Sequence, residues 1–135
     1  MNEPERDELI EHAVSVRQRA HAPESGFRVG AALLTADGSV FVGCNVENKS
    51  LGLTQCAERS AVTAAVAAGQ HQFKQLVVAS DGGITPCGAC RQVLSEFAEQ
   101  LSIQLVDTTD GNNRLVETIE LADLLPRPFG RSGGD

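Results

Sequence analysis

The chain lacks features that define several broad classes of protein. Its 135 residues contain no apolar run near the length that a bilayer requires, so we expect no membrane partner. Residues 1–7 are acidic and polar and do not read as a secretion signal, so we expect a cytoplasmic location. Trp and Tyr are absent, which removes two sources of stacking area and of aromatic hydrogen-bonding groups.

Basic residues are also scarce. The chain has 11 Lys and Arg against 18 Asp and Glu, a formal net charge of -7. An acidic surface repels phosphates, so a nucleic-acid polymer is not expected as a ligand and a small neutral molecule fits better. The hydrophobic fraction of 41% is ordinary for a globular protein, and the length suits one domain over residues 1–135. We expect residues 130–135 to form a frayed tail.

The cysteines that are present carry most of the chemical information. Three of the four lie in two short motifs, Cys56-Ala57-Glu58 and Pro86-Cys87-Gly88-Ala89-Cys90. In an intracellular chain such spacing favours metal binding or catalysis over disulfides. Cys44 lies inside a strand-like run and is interpreted as a buried apolar residue.

Three thiolates can hold one zinc ion and leave one coordination position open, which distinguishes a catalytic zinc from a structural one. Both cysteine groups fall at predicted helix N-termini, where free N–H groups and the helix dipole lower the pKa of a thiol. Three thiolates around Zn²⁺ carry one surplus negative charge, and Arg59 is the candidate to offset it. Glu58 alone would merely compensate the helix dipole, but beside this cluster it is the best general acid or base.

A closed structural zinc site with Cys44 as fourth ligand is the alternative that the spacing leaves open. A structural site does not need Glu58 beside a ligand, and Cys44 is predicted to lie within a strand. The histidines His12, His21 and His71 are distant from both motifs in sequence and are interpreted as surface or structural residues. The combination C-x-E with P-C-x-x-C is a signature of zinc deaminases.

The hydrophobic pattern predicts the order helix, hairpin, helix, strand, helix, strand, strand, helix. We predict Thr54 as the N-cap of the second helix and a final helix over Thr118–Leu125. Strand–helix–strand units imply parallel pairing and the hairpin adds an antiparallel pair. The predicted fold is therefore a three-layer α/β/α sandwich with a mixed five-stranded sheet.

Several motifs in the same order give the chain, from about Leu9 to Phe129, a resemblance to a known family. It resembles the cytidine deaminases of the small, homotetrameric class whose zinc is held by three cysteines. The matching segments are residues 27–34 (FRVGAALL), 43–48 (GCNVEN), 56–59 (CAER), 86–93 (PCGACRQV) and 124–126 (LLP), followed by Phe129.

The resemblance implies a zinc-dependent hydrolysis of cytidine and 2′-deoxycytidine to uridine and 2′-deoxyuridine in pyrimidine salvage. It makes Cys56, Cys87 and Cys90 the ligands of one Zn²⁺ per subunit. It makes Glu58 the proton shuttle between the attacking water, N3 of the cytosine ring and the leaving amine.

The resemblance also implies how a nucleoside would bind. Asn45 and Glu47 match a pair that binds the ribose 3′-hydroxyl, and the backbone N–H of Ala57 matches one that faces the base. Phe27 matches an aromatic residue near the pyrimidine. Phe129 matches a C-terminal aromatic that packs into a neighbouring subunit's site, so a homotetramer is expected.

The chain departs from the family pattern at two places near the expected sugar site. Glu24-Ser25 stands where the family commonly has Tyr-Ser, and Lys49-Ser50-Leu51 stands where a small residue and an aromatic are common. We hypothesise that Glu24 and Lys49 form a compensating pair or alter recognition on the 5′ side of the sugar. Within the enzyme class, the alternative substrate is a modified cytosine nucleoside or a blasticidin-type nucleoside antibiotic, although Asn45 and Glu47 favour an ordinary ribose. A structural-zinc binding module is the non-enzymatic alternative.

Overall fold

The computed structural model describes residues 2–130, and residues 131–135 of the predicted tail lie outside the described part. Within that part the helices are α1 (Glu3–Arg17), α2 (Ala57–Ala67), α3 (Gly88–Phe97) and α4 (Leu121–Leu124). The strands are β1 (Gly30–Thr35), β2 (Val40–Cys44), β3 (Phe73–Ser80), β4 (Ser102–Asp107) and β5 (Arg114–Glu120). None of these helices combines the length and apolarity that crossing a membrane requires.

The five strands form one mixed sheet in the order β2-β1-β3-β4-β5. The β1–β2, β1–β3 and β4–β5 pairs are antiparallel, and β3–β4 is parallel. Helix α3 provides the crossover that a parallel pair requires. In the turn of the β1–β2 hairpin, the Asp37 carboxylate accepts hydrogen bonds from the Ser39 backbone N–H and the Thr35 hydroxyl. Gly38 adopts a φ of 91°, a backbone conformation that the turn requires and that glycine adopts readily. The predicted hairpin and mixed sheet are confirmed.

Alternate residues of the central strands serve two apolar cores, one on each face of the sheet. On one face Leu9 and Ala13 of α1 pack with Val77 and Ala79 of β3. On the other face, α2 and α3 cover the side chains that β1, β3 and β4 direct there, including Leu33, Leu76, Val78 and Leu105. Successive side chains of β3 point into the two cores in turn, so both faces of this strand are apolar. Helices on both faces confirm the three-layer α/β/α sandwich.

Two local predictions are wrong. Cys56, not Thr54, is the N-cap of α2, because its carbonyl already accepts the first helical hydrogen bond from Ser60 N while its own backbone is extended. The Thr54 hydroxyl instead accepts from Asn48 N at 3.1 Å.

The predicted final helix also begins too early. Residues 118–120 belong to β5, where Thr118 pairs with Gln104 and Ile119 pairs with Ile103 of β4. This pairing with a strand distant in sequence, together with the packing of Ile119 against the core, overrides the local helical spacing. Helix α4 is therefore reduced to Leu121–Leu124.

Candidate zinc and nucleoside site

Two helix N-termini and the loop after β3 bring three cysteines together. Cys56 is the N-cap of α2 and Cys87 is the N-cap of α3, and neither side chain caps its helix. Cys90 lies one turn into α3 and is fully buried. Both thiols at the N-caps therefore lie beside unpaired backbone N–H groups at the positive end of a helix dipole.

The geometry of this cluster fits zinc. The sulfur of Cys87 lies 3.9 Å from that of Cys56 and 3.4 Å from that of Cys90, and all three sulfur atoms lie within 4.8 Å of one another. Tetrahedral zinc with Zn–S bonds of about 2.3 Å would separate its thiolates by about 3.8 Å. The donor set is therefore of the right type and spacing for zinc, with one position left for a ligand from outside the chain.

Cys44 does not belong to the cluster. Within residues 2–130, the three-cysteine group is the one set of His, Cys, Asp and Glu side chains arranged to hold a metal. Cys44 ends β2, and its carbonyl accepts a hydrogen bond from the Ser60 hydroxyl at 3.2 Å. The closed four-thiolate alternative therefore has no fourth cysteine at the cluster.

Arg59 lies where the surplus negative charge of the thiolates would fall. Its Nη2 donates to the sulfur of Cys56 at 3.5 Å. A hydrogen bond from Cys90, followed by that from Arg59, lowers the pKa of the Cys56 thiol to about 5. The bond between the two cysteines also raises the pKa of Cys90. The cluster therefore stabilises a thiolate at Cys56, the form in which sulfur binds a metal.

Glu58 is the buried carboxyl group of the site. It lies in the first turn of α2 and is only 5% exposed. Burial raises its pKa to about 7, and the negative charge of Cys56 acts in the same direction. A carboxyl group with a pKa near neutrality can both accept and return a proton, which is the property that a general acid or base needs.

One cavity of about 210 Å³ brings most of the predicted site residues together. It is lined by Phe27, Val29, Asn45, Thr54, Cys56, Ala57, Glu58, Val78, Ser80, Ile84, Thr85 and Cys87. The cavity is smaller than the roughly 300–1,000 Å³ of pockets for drug-sized ligands, which suits a small molecule. Cys90, the third cysteine of the cluster, and Arg59 are not among the residues that line the cavity.

Asn45 ties the cavity wall together. Its Oδ1 accepts from the backbone N–H of Val29 at 2.8 Å, and its Nδ2 donates to the carbonyl of Phe27 at 2.8 Å. The side chain thereby fastens the segment before β1 to the end of β2. Phe27, 39% exposed, forms part of the cavity mouth.

Glu47, the expected partner of Asn45, is not part of the cavity wall. Its carboxylate accepts from the backbone N–H groups of Glu24 and Ser25 and from the Ser25 hydroxyl. These bonds, led by that from the hydroxyl, lower the pKa of Glu47. No ion pair joins Glu24 to Lys49 among the described residues, so the chain gives no support to the hypothesis of a compensating pair.

Phe129 lies away from the cavity of its own chain. Its side chain is 89% exposed, although both polar atoms of its backbone are hydrogen-bonded to the side chain of Gln92. The two hydrogen bonds therefore hold the backbone of Phe129 while its side chain stays exposed to solvent.

Sequence reasoning missed several residues of the wall and its support. Ile84 and Thr85 line the cavity, and their position directly before Pro86-Cys87 was a usable signal. Arg91 stabilises the same loop, since its Nε donates to the Pro86 carbonyl at 2.7 Å and its Nη2 donates to the Thr85 hydroxyl at 3.1 Å. No local pattern indicates these contacts.

Residues 4–105 match the family model described as the cytidine and deoxycytidylate deaminase zinc-binding region. The chain belongs to this deaminase family. A probable cytidine deaminase of Dictyostelium discoideum is 55% identical over 102 residues, which are 73% of this chain and 69% of the relative. The cytidine deaminase of Sporosarcina psychrophila is 41% identical over 93% of this chain and 91% of its own length.

Solved structures of the deaminase family share the fold. The crystal structure of cytidine deaminase from Burkholderia pseudomallei matches with a TM-score of 0.84 and 45% identity, over 96% of this chain and all of that one. The crystal structure of cytidine deaminase from Mycobacterium tuberculosis matches with a TM-score of 0.79 and 40% identity. The match covers 93% of this chain and 97% of that one. These matches confirm the family membership that the cysteine, asparagine and glutamate motifs indicate.

Proposed function

We propose that the chain is a zinc-dependent enzyme that hydrolyses cytidine and 2′-deoxycytidine to uridine and 2′-deoxyuridine. Water adds at C4 of the cytosine ring and ammonia leaves, a reaction of pyrimidine salvage. The observation that carries this proposal is the buried Glu58 beside three clustered thiols at one small cavity. Relatives named cytidine deaminase, at 41% and 45% identity over almost the whole chain, support the choice of substrate.

Cys56, Cys87 and Cys90 are the proposed zinc ligands, and Arg59 offsets part of their negative charge. When bound, zinc supplies the Lewis acidity that makes a water molecule nucleophilic near neutral pH. Apolar side chains such as Val29, Val78 and Ile84 line much of the cavity beside the cluster. A bound nucleoside that displaces water from this wall would strengthen each electrostatic interaction inside the cavity.

Glu58 is the proposed proton carrier. Its carboxylate takes a proton from the attacking water and delivers one to N3 of the ring, which makes C4 more electrophilic. It then takes the second proton of the added water, from the hydroxyl group now bonded to C4, and delivers it to the amino group. The C4–N bond breaks, the C4 carbonyl forms and ammonia leaves. A pKa of about 7 suits both directions of transfer, because neither form of the carboxyl group is strongly favoured near neutral pH.

Free hydrogen-bonding capacity supports the proposed nucleoside contacts. The amide of Asn45 has two N–H donors and two lone pairs, and its bonds to Phe27 and Val29 leave one of each for the ribose 3′-hydroxyl. A carboxylate offers about four acceptor sites, and the three bonds to Glu47 leave one. Ala57, in the first turn of α2, has a backbone N–H without a helical partner, which we assign to the base.

We propose that the protein is a homotetramer, as the resemblance implies, and exposed apolar side chains support self-association. Leu51 and Leu53 are 73% and 70% exposed and follow the Asn45–Asn48 motif, and Ile84 at the cavity wall is 53% exposed. Covering exposed apolar side chains removes their surface from water, which favours burial by another chain. We propose that Phe129 of one copy packs against the cavity of another. We further propose that residues 1–135 act as one catalytic domain in the cytoplasm.

Turnover by the zinc-loaded wild-type protein tests the proposal. Cytidine, deoxycytidine and a cytosine nucleoside modified on its sugar are each added, and loss of the cytosine absorbance band and release of ammonia are followed. We expect turnover of the first two. Turnover of the modified nucleoside alone would support the alternative substrate class, and no turnover of any would support the structural-zinc module.

A further inference from the structure

Helix α3 holds the C-terminal segment as well as two of the clustered cysteines. The Gln92 carboxamide forms two opposed hydrogen bonds with the backbone of Phe129. Its Nε2 donates to the Phe129 carbonyl at 3.1 Å, and the Phe129 N–H donates to Oε1 at 3.1 Å. The pair has the pattern of two amides facing each other, so it fixes both the position and the orientation of this backbone.

The neighbouring residue holds the other end of the same segment. Nη1 of Arg91 donates to the Leu124 carbonyl at 3.1 Å, at the end of α4. The remaining nitrogens of this guanidinium bind Pro86 and Thr85, directly before Cys87. Arg91 therefore joins the cysteine loop and the start of the C-terminal segment through one planar group.

The segment between these two anchors is stiff. Residues 125–129 read Leu-Pro-Arg-Pro-Phe, and each proline fixes its own φ and restricts the residue before it. Ordering such a segment loses less conformational entropy than ordering a flexible one. Two anchors on α3 and two prolines thus hold the Phe129 backbone, while its ring stays 89% exposed.

We propose that Gln92 is a positioning residue that presents the Phe129 ring to the cavity of a second copy. The inference rests on the proposed function, in which Phe129 completes a neighbour's site, and it adds the residue that fixes the backbone from which the ring projects. Gln92 itself does not line the cavity and has no part in the proton transfers. Its loss should weaken nucleoside binding more than it slows the chemical step.

The test uses the zinc-loaded protein of residues 1–135 and four variants of it. They are Gln92→Met, Phe129→Ala, the double variant, and Gln100→Met as a control at an exposed glutamine. Methionine keeps the length of the side chain and removes both hydrogen bonds. Amide hydrogen exchange of the C-terminal peptide, zinc content, and KM and kcat for cytidine are measured.

We expect Gln92→Met to speed exchange at Phe129 and to raise KM roughly 5- to 30-fold, the effect of one to two net hydrogen bonds, with zinc content kept and kcat within about threefold. In the Phe129→Ala background, Gln92→Met should raise KM no further, because both residues affect nucleoside binding through the same ring. Gln100→Met should behave as wild type.

The proposal would be overturned if the increases in KM were additive in the double variant. It would also be overturned if Gln92→Met left amide exchange at Phe129 unchanged. If Gln92→Met does not fold, Gln92→Glu replaces it, since a carboxylate still accepts from the Phe129 N–H but cannot donate to its carbonyl. If wild type fails to turn over cytidine, the proposed function fails. The exchange measurement then still decides whether Gln92 fixes the Phe129 backbone.

Discussion

Gly43 allows the edge strand to contact the helix that carries half of the site. The residue is buried in β2, and a Cβ built on it would lie 2.4 Å from Ala61 N, 2.5 Å from Ala57 O and 2.8 Å from Ser60 Cβ. Two of these atoms belong to the backbone of α2, which cannot rotate away as a side chain can. Because ordinary Cβ contacts begin at 3.4 Å, Gly43→Ala must move α2 away by about 1 Å.

We expect Gly43→Ala to lower the free energy of unfolding by about 3 kcal/mol, the upper end of what overpacking costs. Because Cys56 is the N-cap of α2 and Glu58 lies in its first turn, the same shift misplaces the carboxyl group relative to the substrate. A displacement of 1 Å at a reacting group can lower turnover about 10²-fold.

Urea unfolding at a fixed zinc concentration and cytidine turnover measure the two effects. Gly52→Ala is the matched control, since a Cβ there meets nothing within 4 Å, and its unfolding free energy should stay within about 0.5 kcal/mol of wild type. If Gly43→Ala unfolds within 0.5 kcal/mol of wild type and keeps full turnover, the close contact between β2 and α2 has no energetic importance and the reasoning fails.

Further predictions concern the metal and the cavity wall. Cys90→Ser should lose bound zinc because it removes a clustered thiol, whereas Cys44→Ser should keep its zinc. Metal analysis of the purified variants measures both, and loss of zinc from Cys44→Ser would favour the four-thiolate site. Asn45→Ala should lower the unfolding free energy by about 2 kcal/mol, because it leaves the Phe27 carbonyl and the Val29 N–H without their partner, and should raise KM for cytidine. An unfolding midpoint in urea and a KM equal to those of wild type would show that this bridge does not shape the cavity.

The sequence predicted most of the fold because its local patterns agree with the tertiary structure. The Asp37-Gly38 hairpin, the Ala-rich α2 with Gly69 after it and the short apolar strands are signalled by local periodicity and turn residues. The exception is residues 118–120, whose strand conformation depends on pairing with β4 and not on local propensity. The N-cap of α2 is a second exception, because Cys56 and not Thr54 occupies that position.

The chemistry of the site could be predicted further than its supports. Cysteine spacing and Glu58 indicated one zinc cluster with a nearby carboxyl group, and the structure brings those side chains together. The bonds that hold Glu47 and Phe129 join residues 22 and 37 positions apart, and no local pattern encodes them. The hypothesis that Glu24 pairs with Lys49 came from their opposite charges and from the expected closeness of their segments, and neither fixes the distance between the two side chains.

The most direct test of the central claim is the turnover of cytidine by zinc-loaded Glu58→Gln. Glutamine keeps the shape of the buried side chain and cannot carry a proton, so kcat should fall roughly 10²- to 10⁴-fold while zinc content stays equal to wild type. Glu117→Gln, a change at an exposed carboxylate on β5, serves as the control and should leave both unchanged. If Glu58→Gln keeps its zinc and turns over cytidine within tenfold of wild type, Glu58 is not the proton carrier and the proposed mechanism is wrong.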